Sequence, residues 1–166
     1  MTAKSILPHD IPIGGLTSII FRTQAIFLNH HLRSLGLSYG QFPVLMFLRN
    51  HQNVTQETLA RHFHIDRGTI ARSVKKLEDA GYVIRRIDPD NRRAVKLFLS
   101  EKGTSIISDL IRIDTEWEMT ASSGLNKEEK TQFKDLLWRV ASASIQGVND
   151  IGENSFTSCC SGGECA

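Results

Sequence analysis

The chain reads as mainly α-helical, interrupted once by a two-stranded hairpin, and three observations predict it. Apolar residues recur three and four apart on both sides of the hairpin. Ser, Thr or Asp precedes each of the middle helical runs, where an N-cap belongs. From Tyr82 to Leu99 the pattern changes to alternation, folded back on itself by Asp88-Pro89-Asp90-Asn91.

The first helical run extends from Ile11 to about Leu35, with Ile13, Leu16, Ile20, Phe27 and Leu28 at helical spacing. It is apolar nearly all round, which implies a second buried face supplied by a partner subunit. Ser38-Tyr39-Gly40-Gln41 has the form of a capping box, with Leu37 and Phe42 placed to staple the next helix across Phe42, Leu45, Met46 and Leu48. Pro43 is deep for a first turn, so an irregular start is expected there. Thr55 caps a third helix carrying Leu59 and Phe63, and Asp66 caps a fourth, with only His64 and Ile65 between them.

On the fourth helix Ile70, Val74 and Leu77 fall within a narrow arc, while Gly68, Arg72, Lys75, Lys76 and Asp79 lie opposite. One face is core and the other is free to dock. Gly81 suits a left-handed C-cap, after which Tyr82 to Ile87 favours a strand. The return strand, Ala94 to Leu99, turns Val95, Leu97 and Leu99 to one side and Lys96 to the other. Ser100 opens a further helix through Leu110, Ile113 and Trp117, and a last one from about Lys127 carries Phe133, Leu136, Leu137, Val140 and Ile145.

A chain of 166 residues suits one core with extensions. No apolar run is long enough to span a bilayer, and the first residues lack a basic start followed by an apolar block, so a cytoplasmic protein without a membrane partner is expected. Charge is more informative by region than in total. Residues 51–100 hold ten Lys and Arg against six acids, whereas residues 101–166 hold six against eleven. A basic middle beside an acidic C-terminal third is the asymmetry expected when one face meets a polyanion.

A basic helical face alone is more often a solvated surface. Helix, short turn, basic helix and Arg-bearing hairpin in this order form a winged helix-turn-helix, whose second helix enters the DNA major groove. Arg67, Thr69, Arg72 and Ser73 lie on the outer face of its first half, where base edges are met. Lys75 and Lys76 lie later and suit phosphates. At the wing tip Arg92 and Arg93 are shaped for a minor groove, with Asp90 orienting Arg92 as wing support. No Gly-x-Ser-x-Gly, P-loop or His-Glu-x-x-His motif occurs, so no catalytic residues, enzyme activity or cofactor are expected. His30-His31 and His62-x-His64 are not read as a metal site.

The stretch from Asn53 to Gly103 resembles the winged-helix core of the MarR family. The resemblance rests on Leu59-Ala60, Asp66-Arg67-x-Thr69-x-x-Arg72, Val74, Leu77-Glu78-x-x-Gly81, Val83, Arg85, Asp90-x-Arg92 and Leu99-Ser100-x-x-Gly103. It extends more weakly over residues 11–148, and the FHID-RGTIAR and IDPDNRR segments are most similar to archaeal members. Gly68 departs from the pattern, where many relatives carry Ser.

The resemblance implies a homodimer with N- and C-terminal dimerisation helices at 11–36 and 104–148, a DNA-binding lobe at 37–103 and a flexible tail at 149–166. It implies a pseudo-palindromic operator in double-stranded DNA and repression released by a small aromatic or phenolic ligand, with Arg22 and Arg85 as positions that would attract such an anion. The alternative is a thiol-based metal, metalloid or redox sensor, because all the cysteines, Cys159, Cys160 and Cys165, lie in the tail.

Overall fold

The computed structural model describes residues 7–89, 91 and 94–150. Asp90, Arg92, Arg93 and the cysteines at 159, 160 and 165, to which the sequence assigns roles, lie outside the described residues. The order is α1 (Ile13–Leu32), α2 (Phe42–Asn50), α3 (Gln56–Phe63), α4 (Arg67–Asp79), β1 (Val83–Ile87), β2 (Val95–Leu99), α5 (Glu101–Ser105), α6 (Ile107–Ala121) and α7 (Lys127–Asp150).

Local chemistry accounts for most boundaries. The helix expected to reach Leu35 ends as α1 plus a tighter 3-10 turn at Arg33–Leu35, because Gly36 adopts φ +66° and its N–H returns to the Arg33 carbonyl. Before α2 the capping box is only half formed. Gln41 Oε1 accepts from the Ser38 N–H and from the Ser38 hydroxyl, both at 2.9 Å, so the serine donates rather than caps. The helix proper begins at Phe42, with Pro43 inside its first turn, where a missing N–H is harmless.

Thr55 and Asp66 cap α3 and α4 as expected, accepting from the N–H groups of Thr58 at 3.1 Å and Thr69 at 2.8 Å. Gly81, at φ +77°, ends α4 by donating to the Glu78 carbonyl while the Tyr82 N–H reaches Leu77. The hairpin is antiparallel, with Val83 opposite Leu99 and Ile87 opposite Val95, and Leu97 also bridges Val54. That bridge ties the segment entering α3 to the root of the wing.

The helix expected to run on from Ser100 is two pieces, separated at Ile106. α5 packs on β2, whereas α6 packs on α1 and α2, and the break lets each face its own neighbour. Leu28 and Leu32 of α1, Leu45 and Leu48 of α2, Leu59, Val74, Leu77, Leu97 and Leu110 form one core at the centre of these elements. None of the described helices is long and apolar enough to cross a membrane.

Among the described glycines, the one with least room for a side chain is Gly103. A Cβ added there would lie 2.1 Å from the Tyr82 carbonyl oxygen, which also accepts the Ser100 N–H at 3.0 Å. Backbone on both sides cannot yield as a side-chain end would. Gly103→Ala is therefore expected to destabilise the fold by about 3 kcal/mol, the upper part of the overpacking range. A urea unfolding midpoint lowered at unchanged slope checks this, and a destabilisation below about 1 kcal/mol would contradict the contact.

Candidate nucleic-acid interface

α4 is held by its apolar arc. Ile70, Val74 and Leu77 are buried, and Gly68, Arg72, Lys75, Lys76 and Asp79 are exposed on the other side, as the periodicity predicts. Arg67 is also exposed at the first turn, whereas Thr69 and Ser73 are half-buried on the flank. A Cβ on Gly40 would come within 3.9 Å of the Ser73 hydroxyl, so Ser73 faces the segment before α2.

The exposed cations are organised by hydrogen bonds. Arg67 Nη2 donates to Glu57 Oε1 at 2.8 Å, bridging from α4 back to α3. Lys75 Nζ donates to Asp79 Oδ1 at 2.6 Å, which raises the pKa of the ammonium group. Arg72 Nη2 donates to Thr69 Oγ1 at 2.8 Å. Lys76 and Arg61 form no ion pair among the described residues. Exposed pairs of this kind are worth little and exchange readily for phosphate.

Asp66 is the cap on which the face is built. Hydrogen bonds from Thr69, side chain first and backbone second, hold its carboxyl below the usual carboxylate range, with a smaller contribution from the Arg72 charge.

Arg85 sits at the wing's root beside Glu78 and Gln56, pairings that the sequence did not announce. Its Nε is 2.9 Å from Glu78 Oε2, an ion-pair distance without hydrogen-bond alignment. With its amide oxygen turned toward Arg85, Gln56 accepts from Nη1 at 2.7 Å and Nη2 at 3.2 Å. Thr55, Gln56, Glu57, Arg85, Asn91, Ala94 and Val95 line an open cavity of about 440 Å³. Arg22, exposed on α1, is not among its lining residues. Neither Glu57 nor Gln56 has a spacing in the chain that would announce its partner, since each pairing crosses between elements.

Recognition helix, wing root and basic face together have the form of a groove reader, and comparison with known proteins decides the family. The MarR family profile matches residues 37–95. The HTH-type transcriptional regulator YybA of Bacillus subtilis (strain 168) is 36% identical over 112 residues, covering 68% of this chain and 75% of that protein. A crystal structure of MarR superposes with a TM-score of 0.80 at 32% identity, covering 88% of this chain and 99% of that one.

This chain belongs to the MarR family.

Within the MarR family a closer kinship to archaeal members is not borne out. A MarR transcriptional regulator structure from Methanosarcina mazei Go1 reaches 32% identity, with a TM-score of 0.78 over 81% of this chain and 96% of that one, below the 36% of the bacterial relative. The relatives named are transcriptional regulators, and the mainly α fold with a two-stranded wing is the family's own.

The lowered pKa of Asp66 has a pH signature. A carboxylate with a depressed folded pKa stabilises above its unfolded value, near about 3.9, and that stability is lost as pH falls through the folded pKa. Asp66→Asn, whose amide oxygen caps without titrating, should lose this part of the acid sensitivity. Thermal midpoints of both proteins from about pH 6 to about pH 2.5 check it, and parallel curves would contradict it.

Proposed function

We propose that this MarR-family regulator binds a pseudo-palindromic operator as a homodimer and represses transcription until a small aromatic or phenolic acid releases it. The observation that carries the DNA reading is the exposed basic face of α4, held rigidly by Ile70, Val74 and Leu77 and capped at the end where base edges are read. Arg67 and Arg72 serve the groove from the exposed face with Thr69 and Ser73 half-buried beside them, Lys75 and Lys76 serve the phosphates, and Arg92 and Arg93, supported by Asp90, the minor groove.

The dimer is supported by what one copy leaves uncovered. On α7 Phe133, Leu136, Leu137, Trp138, Val140 and Ile145 are exposed, as are Ile13, Leu16, Ile20, Phe21 and Ile26 on α1. The core runs from Leu28 to Ile113 and does not reach them. Apolar surface on two terminal helices calls for a second copy, and a two-fold axis sets the two recognition helices about 34 Å apart, one turn of DNA.

Operator fragments selected from genomic DNA by the protein itself provide the test. Arg72→Ala and Arg92→Ala should each weaken binding, and the salt dependence should flatten by about one unit of slope for every phosphate that is no longer neutralised. If wild-type binding to any duplex is independent of salt, this reading fails.

For the signal, Arg85 with its cavity supports an anionic aromatic ligand, and Arg22 is the second cation proposed to attract it. A second reading, a thiol sensor, draws on the confinement of Cys159, Cys160 and Cys165 to the last residues of the chain. Hydroxybenzoates are expected to release the operator, to do so equally well after deletion of residues 155–166, and to need higher concentrations with Arg22→Ala or Arg85→Ala. Release by arsenite or peroxide that vanishes on the same deletion would instead assign the signal to the tail.

A further inference from the structure

The first two turns of α4 hold a chain of polar contacts that runs along one flank. Asp66, Thr69 and Arg72 are spaced three apart, so their side chains neighbour one another along the helix. The Asp66 carboxylate accepts the Thr69 N–H at 2.8 Å. Arg72 Nη2 donates to the Thr69 hydroxyl oxygen at 2.8 Å. Since a guanidinium has donors and no acceptor, that hydroxyl must be the acceptor. Thr69 therefore meets Asp66 through its backbone N–H and Arg72 through its hydroxyl oxygen. The three residues form a relay through Thr69, with a carboxylate at one end and a guanidinium at the other.

Gly68 completes the arrangement. A Cβ built there would lie 3.1 Å from Asp66 Oδ1, a tight approach, and 3.4 Å from Arg72 Nη1, in ordinary contact, so both ends of the relay border the space over this one residue. The guanidinium is folded back over the N-terminal part of α4, and the missing side chain leaves it room. Gly68 has an ordinary helical φ, so its value is the room and not backbone freedom.

We infer that Asp66, Thr69 and Gly68 form a positioning device that presets Arg72 for one base pair, making Thr69 and Gly68 determinants of sequence preference without contacting a base. The inference rests on α4 as the major-groove helix. An unheld Arg side chain must lose rotamer freedom when it pairs bidentately with guanine, and a preset one loses less. One of its five donors is engaged by Thr69, and enough remain for the O6 and N7 acceptors. Thr69, its hydroxyl engaged by Arg72 and its backbone N–H by Asp66, is a positioning residue and not a reader.

The test uses the full chain and a duplex enriched by the wild-type protein from a randomised library of about 30 base pairs, with all single-pair variants of that duplex. Arg72→Ala identifies the pair that Arg72 reads, by loss of preference there. Thr69→Val keeps the shape and removes the hydroxyl, and should lower the preference at that same pair by about tenfold, within the range set by one good bidentate contact. Affinity for an unrelated duplex and the salt slope should stay unchanged, which a merely structural defect would not allow. Thr69→Ser should restore the preference to within about twofold, and Gly68→Ala should reproduce the Thr69→Val loss by crowding.

Unchanged preference in both Thr69→Val and Gly68→Ala, beside a collapse in Arg72→Ala, would overturn the relay while leaving DNA binding intact. Should Arg72→Ala leave every preference unaltered, the device has nothing to position and the inference also falls. Failure of the wild type to bind any duplex in a salt-dependent way is a separate result, and it overturns the underlying DNA reading. If Thr69→Val melts before binding can be measured, Gly68→Ala and Thr69→Ser decide between these outcomes.

Discussion

The contact between Gly103 and the Tyr82 carbonyl is the constraint on which the arrangement of the lobe depends. Three elements meet there: α4 ends at Gly81, the wing rises from Val83 and returns at Leu99, and α5 starts at Glu101. Ser100 binds the junction twice more, its N–H to Tyr82 and its hydroxyl to the Gly81 carbonyl at 2.6 Å. Lys102 lies over the Tyr82 ring at 4.3 Å and donates to the Ala80 carbonyl. The Tyr82 hydroxyl then donates to the Leu35 carbonyl at 2.6 Å, carrying the junction to the end of α1. The angle between recognition helix and wing, and their relation to the first helix, are thus set by one close-packed point.

Around that point the molecule divides into a lobe with a closed core and packing helices left uncovered. The lobe's core is complete within one copy, whereas α1, α6 and α7 keep large apolar side chains at the surface. The exposed face of α4 and the wing root are not simply basic either. Glu57, Asp79 and Glu78 stand beside Arg67, Lys75 and Arg85 at ion-pair distance, weak pairings at the exposed surface. Such pairs trade a carboxylate for a phosphate at small net cost, which suits a surface that must let DNA go.

Much of this was legible in the chain because it depends on neighbours within four residues. The caps at Thr55, Asp66 and Ser100 stand where the spacing puts them. The buried arc of Ile70, Val74 and Leu77 and the left-handed Gly81 likewise follow from local rules. Ser38 misled, since its hydroxyl could as well donate to Gln41 as cap the helix, and nothing local decides between the two. The break at Ile106 was invisible for a related reason. A helix-compatible sequence ran straight through it, and only the demands of β2 on one piece and of α1 and α2 on the other divide it.

By itself, then, the sequence determined the order of elements and the buried and exposed faces of α4, because periodicity, capping and turn chemistry act over short separations. Tertiary structure alone decided which polar groups meet across elements. Glu57 with Arg67, Gln56 with Arg85, and Tyr82 with Leu35 are pairings between elements. Their distances follow from how helices pack and not from spacing along the chain.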